Sequence, residues 1–211
     1  MRSLVVALAG ALALAAHTPA ARADVGGFAE VLGGISIPLG DDNWTKIADT
    51  SPNLSLRIGG ETRERDRYGG LGLMLQGDWT PVNLNNSEVG TGGLNASAAG
   101  ERGRILANLV FHHRVAPRLI ASGRFGIGVD IAHYSYTVTA GDSTTTTART
   151  DGGLALEFGA GIWYSLGGLQ IGGELAVPIA NHSTAADSSG IGFQYASYDF
   201  DVQIGVRFVT F

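Results

Sequence analysis

The chain has 211 residues, a formal net charge of −5, and 14 Lys and Arg against 19 Asp and Glu. Lacking both a basic cluster and any cysteine, it has no footprint for nucleic acid, no disulfide framework and no thiolate chemistry. After the N-terminal stretch no apolar run approaches the ~18 residues of a membrane-spanning helix.

Residues 1–23 read as a secretory signal peptide. Arg2 supplies the charge, Leu4 to Ala16 the apolar core, and Ala21-Arg22-Ala23 a small-residue cleavage site before Asp24. The apolar run is too short to cross a bilayer comfortably, and Pro19 follows it. The expected mature domain is residues 24–211, exported through the Sec pathway. Without Arg2 and Arg22 its formal charge moves from −5 to −7.

From there the pattern is alternation. Val31, Ile35, Ile37 and Leu39 share a face opposite Glu30, Gly34 and Ser36. A polar connector, 40–52, ends at Pro52. The second segment sets Leu54, Leu56 and Ile58 against Ser55, Arg57, Gly59 and Glu61. The third sets Leu71, Leu73, Leu75 and Trp79 against Gly72, Met74, Gln76, Asp78 and Thr80. A long Asn-, Gly- and Ser-rich loop is expected at 84–100.

The fourth segment opposes Ile105, Ala107, Leu109, Phe111 and Val115 to Arg102, Arg104, Asn108, His112 and Arg114. Past Pro117, the fifth opposes Phe125, Ile127, Val129 and Ile131 to Arg124, Gly126, Gly128 and Asp130. Residues 140–152, with the run Thr144 to Thr147, read as another polar loop. The sixth segment sets Leu154, Leu156, Phe158, Ile162 and Tyr164 against Gly153, Glu157, Gly159 and Gly161. Gly167-Gly168 is a two-residue hairpin signal. The seventh sets Leu169, Ile171, Leu175, Val177 and Ile179 against Gln170, Gly172, Glu174 and Pro178. After a connector at 181–190, the last places Tyr198, Phe200, Val202, Ile204, Val206 and Phe208 opposite Asp199, Asp201, Gln203, Gly205 and Arg207.

Eight two-faced strands, joined by connectors that alternate long and short, predict an all-β, eight-stranded antiparallel up-and-down transmembrane β-barrel. Short turns would face the periplasm and longer loops the outside. Alternation leaves open which face is out, since a soluble secreted lipocalin-like barrel shows the same period. Three features favour lipid outside. There is a single lysine, Lys46, for a water-facing exterior; the polar faces are dense in Gly beside charge, suiting a narrow lumen; and Trp79, Tyr164, Tyr198 and Phe208 sit toward the ends of apolar faces.

On these residues the chain resembles the small eight-stranded outer-membrane β-barrels of Gram-negative bacteria. The resemblance implies insertion by the barrel-assembly machinery, with outer-membrane lipid and lipopolysaccharide as surroundings. It also implies a C-terminal assembly signal, matched by Gln203, Gly205 and Phe208, with the terminal aromatic Phe211 one step out of register.

The polar parity assigns a luminal charge network to Glu30, Arg57, Glu61, Arg102, Arg104, Arg114, Arg124, Asp130, Glu157, Glu174, Asp199, Asp201 and Arg207, with Asp78 and His112 beside it. The arginines cluster on strands two, four and five and the acids on six to eight, so pairing across the lumen is expected. Eight strands leave little room for water, which favours a plug over a pore.

His133 and Ser135, two apart on an apolar parity, are the most pointed enzyme signal. An H-x-S pair resembles that of the outer-membrane lipid A deacylases, but Tyr136 stands where those have Asn, and Glu157 has luminal parity. His112, His113 and His182 show no metal-ligand spacing.

No metal, cofactor or catalytic role is therefore expected. The leading reading is a non-enzymatic barrel with a structural or surface-interaction role. The alternatives are a small-solute or hydrophobic-molecule channel, a lipid A deacylase-like hydrolase and a soluble lipocalin-like barrel. Oligomeric state is left open.

Overall fold

In the computed structural model, which describes residues 24–39, 48–63, 69–83, 95–140, 143–183 and 194–210, the alternating segments become eight strands. They are β1 (Asp24–Leu39), β2 (Ser51–Arg63), β3 (Gly69–Asn83), β4 (Asn95–Ala116), β5 (Leu119–Ala140), β6 (Ser143–Ser165), β7 (Leu169–Ser183) and β8 (Gln194–Thr210). Each pairs antiparallel with its sequence neighbours. β1 closes on β8 from Gly27↔Thr210 to Leu39↔Tyr198, which makes a closed barrel. Closure leaves the barrel wall without a sheet edge.

The period of two then decides both surfaces. Leu56, Ile58, Leu73, Ile105, Leu154 and Ile204 point outward and are each more than half exposed. The intervening Arg57, Gln76, Arg104, Glu157 and Gln203 are buried inside. A soluble calyx needs the reverse, an apolar interior, so the lipocalin-like alternative falls. The apolar residues inside form small groups. Phe28, Met74, Val110 and Val209 pack together toward the end that carries the short turns, and Leu106, Ala155 and Ala180 pack farther up.

The strands outrun the sequence expectation on one side. The segment at 140–152 is not a loop: β5 runs to Ala140, β6 starts at Ser143, and Thr139↔Thr144 through Ala132↔Asp151 are in register. Likewise β4 begins at Asn95, inside the loop expected at 84–100, and β7 continues to Ser183. The cause is chemical. A run of Thr is β-branched and favours extended backbone, yet it is polar on both parities and gives no alternation to read. In water beyond the wall, no such alternation is required.

Curvature is built from glycine. A Cβ on inward-facing Gly205 would collide with the Val31 carbonyl oxygen and stand 2.8 Å from Leu32 Cα. One on outward-facing Gly77 would meet nothing within 4 Å. Gly205→Ala is accordingly expected to cost about 1–3 kcal/mol by overpacking. Gly77→Ala should stay within about 0.5 kcal/mol. Denaturant midpoints of the two refolded variants test the contrast. Gly167 alone among the described residues has positive φ (94°), in the β6–β7 turn, where Leu166 N–H donates to the Leu169 carbonyl at 2.7 Å.

Candidate functional site

The inward side chains of all eight strands converge on a buried ionic network. Arg57 on β2 uses its whole guanidinium. It grips Glu174 of β7 through both Nη atoms at 2.9 and 3.1 Å, reaches Glu30 of β1 at 3.3 Å, and donates to Gln203 and Ser55 at 2.9 Å each. Arg124 on β5 meets Glu174 from the other side, at 2.8 and 2.6 Å, and also pairs with Glu157 of β6. Its Nη1 donates to Gln76 at 2.9 Å and to Asn108 at 3.2 Å. Gln76 Nε2 in turn donates to Asp78 at 2.7 Å and to Glu157 at 3.0 Å.

Toward the outer end, Arg104 of β4 lies among three carboxylates: Asp201 at 2.9 Å, Asp78 at 3.3 Å and Glu157 at 3.5 Å. Above it Arg102 holds Asp130 at 2.7 Å, also pairs with Asp199, and donates to Ser197 at 3.0 Å. His182 Nε2 stands 3.4 Å from Ser197 Oγ and 3.7 Å from Asp130. Toward the other end, Arg207 donates to Glu30 at 2.6 Å and to Gln170 at 3.3 Å. Its guanidinium stacks 4.2 Å over the Trp163 ring. Glu61 and His112 pair near the mouth on the short-turn side.

Charges withdrawn from water persist only when paired and hydrogen-bonded, and most of the donors here are accounted for. Glu30, Arg57, Met74, Arg124, Glu174 and Arg207 border a gap that leaves no room for a water molecule.

Most of the expected network residues are brought together, with one correction. Arg114 is exposed, not luminal. Arg114 keeps its ladder register against Ile120, but it is the last pair before the register shift that ends at Ala116, and at this rim inward parity no longer means burial.

What parity reasoning passed over is the amide and hydroxyl set: Gln76, Asn108, Gln170 and Ser197, which bridge the ions. Inward parity is the signal the sequence holds for them, but a neutral side chain has no complementary charge to suggest its partner. Of the assembly-signal residues, Gln203 faces inward onto Arg57, Gly205 packs against β1, and Phe208 is 54 % exposed. Phe211 and the signal-peptide residues lie outside the described residues.

Glu157, buried in the lumen, does not join His133 and Ser135. His133 is exposed with its Nδ1 2.8 Å from Thr150 Oγ1. The acid facing it across the ladder is Glu101 rather than Glu157, and Glu101 accepts from Trp79 Nε1 at 3.2 Å. Among the described residues no three His, Cys, Asp or Glu are grouped to hold a metal ion. At the β4–β5 turn, Arg118 donates to the Tyr164 hydroxyl at 3.4 Å, a bond that raises the guanidinium's pKa above its ordinary value.

The comparisons agree on architecture. A major outer membrane protein of Thermus thermophilus superposes with a TM-score of 0.52 at 15% identity, over 87% of this chain and 99% of that one. The fold is that of a small outer-membrane β-barrel. The attachment invasion locus protein Ail of Yersinia pestis gives 0.47 at 14% identity over 87% and 98%. Neisserial surface protein A gives 0.43 at 13% over 88% and 97%. No family model and no curated protein matches the sequence. The outer-membrane-barrel architecture is thus carried by alternation, strand number and closure at an identity where few individual side chains are shared.

Proposed function

We propose that this chain is a non-enzymatic integral barrel of the bacterial outer membrane, with a plugged lumen and a structural or surface-interaction role. On this reading residues 1–23 are removed on export, and the short turns, including β4–β5 and β6–β7, face the periplasm. Lipid and lipopolysaccharide surround the wall. Gln203, Gly205 and Phe208, with Phe211, serve the barrel-assembly machinery during insertion.

The observation that carries the plug is the cross-lumen bonding: Arg57 to Glu174 joins β2 to β7, and Arg104 to Asp201 joins β4 to β8. A solute passing through would have to break several buried ion pairs at once, leaving charges unpaired. The surface role is supported by the polar extension of β4, β5 and β6, where cross-strand Thr137 and Thr146 hydroxyls bond at 3.1 Å and Thr139 and Thr144 at 3.3 Å. It is an ordered hydroxyl-rich ledge past the outer rim, suited to contact with other surfaces.

Planar-bilayer recording of the refolded chain is expected to show no stable unitary conductance. Reproducible conductance steps would overturn the plug and favour the channel alternative.

A further inference from the structure

The turn between β4 and β5 carries charge that the barrel does not use. His113, Arg114 and Arg118 are all exposed, and from His113 to Gly123 the chain has no acidic residue. Arg114 has no ion pair or hydrogen bond among the described residues. Among the described residues, the Arg118 guanidinium donates to the Tyr164 hydroxyl. Among the described residues, the acid near this end of β4, Glu61, pairs with His112 inside the mouth. The β6–β7 turn alongside, Leu166-Gly167-Gly168, is uncharged.

Around these cations lie Val115, Tyr164 and Leu166, which are 54, 46 and 53 % exposed. They continue the apolar wall of Phe111 and Ile162 down to the rim. Two guanidiniums and a phenol at the edge of an apolar band match a particular ligand shape, an anionic phosphodiester sitting above acyl chains. Guanidinium forks suit phosphate oxygens, and the aromatic ring suits the depth of the glycerol backbone.

We infer that the β4–β5 turn binds the phosphodiester headgroup of an anionic phospholipid in the inner leaflet of the outer membrane. The inference rests on the membrane reading and orientation proposed above. Arg118, oriented by Tyr164, and Arg114 donate to the phosphate oxygens, while the acyl chains lie along Val115, Tyr164 and Leu166. A zwitterionic lipid brings its own ammonium group to compete with the arginines, so the site prefers a lipid with net negative charge.

Native mass spectrometry of the refolded chain, released from detergent containing equal amounts of phosphatidylglycerol and phosphatidylcholine, tests this directly. The wild type is expected to retain phosphatidylglycerol with a preference of roughly tenfold. Arg114→Gln with Arg118→Gln should bring the preference close to one. Tyr164→Phe should lower it partway by freeing Arg118. Unchanged preference in the double variant would overturn the site, as would displacement of the lipid by millimolar inorganic phosphate, which would mark a free-anion site. Heat-modifiable gel migration shows whether each variant has folded, and neither arginine is buried, so a folded variant is expected. The membrane reading is judged separately: a chain that stays in the aqueous phase without detergent overturns that reading, whereas equal retention of both lipids by an inserted barrel overturns only the site.

Discussion

Arg124→Met is expected to destabilise the folded barrel by about 3–5 kcal/mol, the usual cost of removing one partner from a buried ion pair. Methionine keeps much of the side chain's volume, so the loss is electrostatic rather than a cavity. Glu174 and Glu157 each lose a charged donor in a site where both side chains are at most 3 % exposed. The amides Gln76 and Asn108 lose the donor that satisfies their oxygens.

Arg57 still holds Glu174, and Arg104 lies 3.5 Å from Glu157, so the damage falls short of two fully orphaned carboxylates. Adding Glu157→Gln to Arg124→Met should therefore cost less than the sum of the single changes, because the neutral amide no longer needs the missing cation. Arg114→Met is the control and should stay within about 0.5 kcal/mol. Urea unfolding in detergent, read by the shift between folded and unfolded gel mobility, measures these variants and Glu157→Gln alone. A loss below about 1 kcal/mol for Arg124→Met would mean that water already reaches the network, and the plug would fail with it.

The contrast between Arg124 and Arg114 also shows what the sequence conveys. Both arginines have inward parity, and parity is reliable for as long as the strand belongs to the wall. Leu54 to Ile58, Leu71 to Trp79 and Tyr198 to Phe208 alternate because one side meets lipid and the other a polar lumen, so fold and facing can be read together. At Arg114, the last pair before the ladder's register shift, the strand has reached the rim, and inward parity there no longer brings burial.

The same argument accounts for Thr144 to Thr147. Outside the membrane neither face must be apolar, so the strand continues without the pattern that would reveal it. The cross-lumen partners were legible only as two populations, Arg on some strands and acids on others. Which guanidinium meets which carboxylate depends on shear and strand tilt, which set how far one strand is displaced relative to another. Arg57 meeting Glu174, five strands along the chain, has no local signature. Glu101 facing His133 is of the same kind: it comes from the β4–β5 register, and no spacing in the sequence announces it.

Ile127→Arg separates a lipid-facing wall from a water-facing one. Ile127 is 49 % exposed, at the middle of the outward face of β5, with Ala107 and Leu156 directly across the ladders on either side. From Leu119 to Ile131 the strand, tilted as in such barrels, rises roughly 30 Å, enough for an apolar band of about 25 Å. Ile127 then falls near the bilayer midplane, where an arginine costs about 2–4 kcal/mol.

In water the same half-exposed position would accept arginine almost freely, because nothing must be desolvated and no buried contact is lost. Thr145→Arg supplies the internal comparison. Thr145 is exposed on the polar extension of β6, and its substitution should change stability by no more than about 0.5 kcal/mol. Urea titration of both variants in phospholipid vesicles, followed by tryptophan fluorescence, gives the two values under one condition. Equal, small costs would place Ile127 in water and defeat the membrane reading. A large cost at Ile127 with none at Thr145 locates the edge of the hydrocarbon on β5 and β6, between the apolar wall and the threonine ledge.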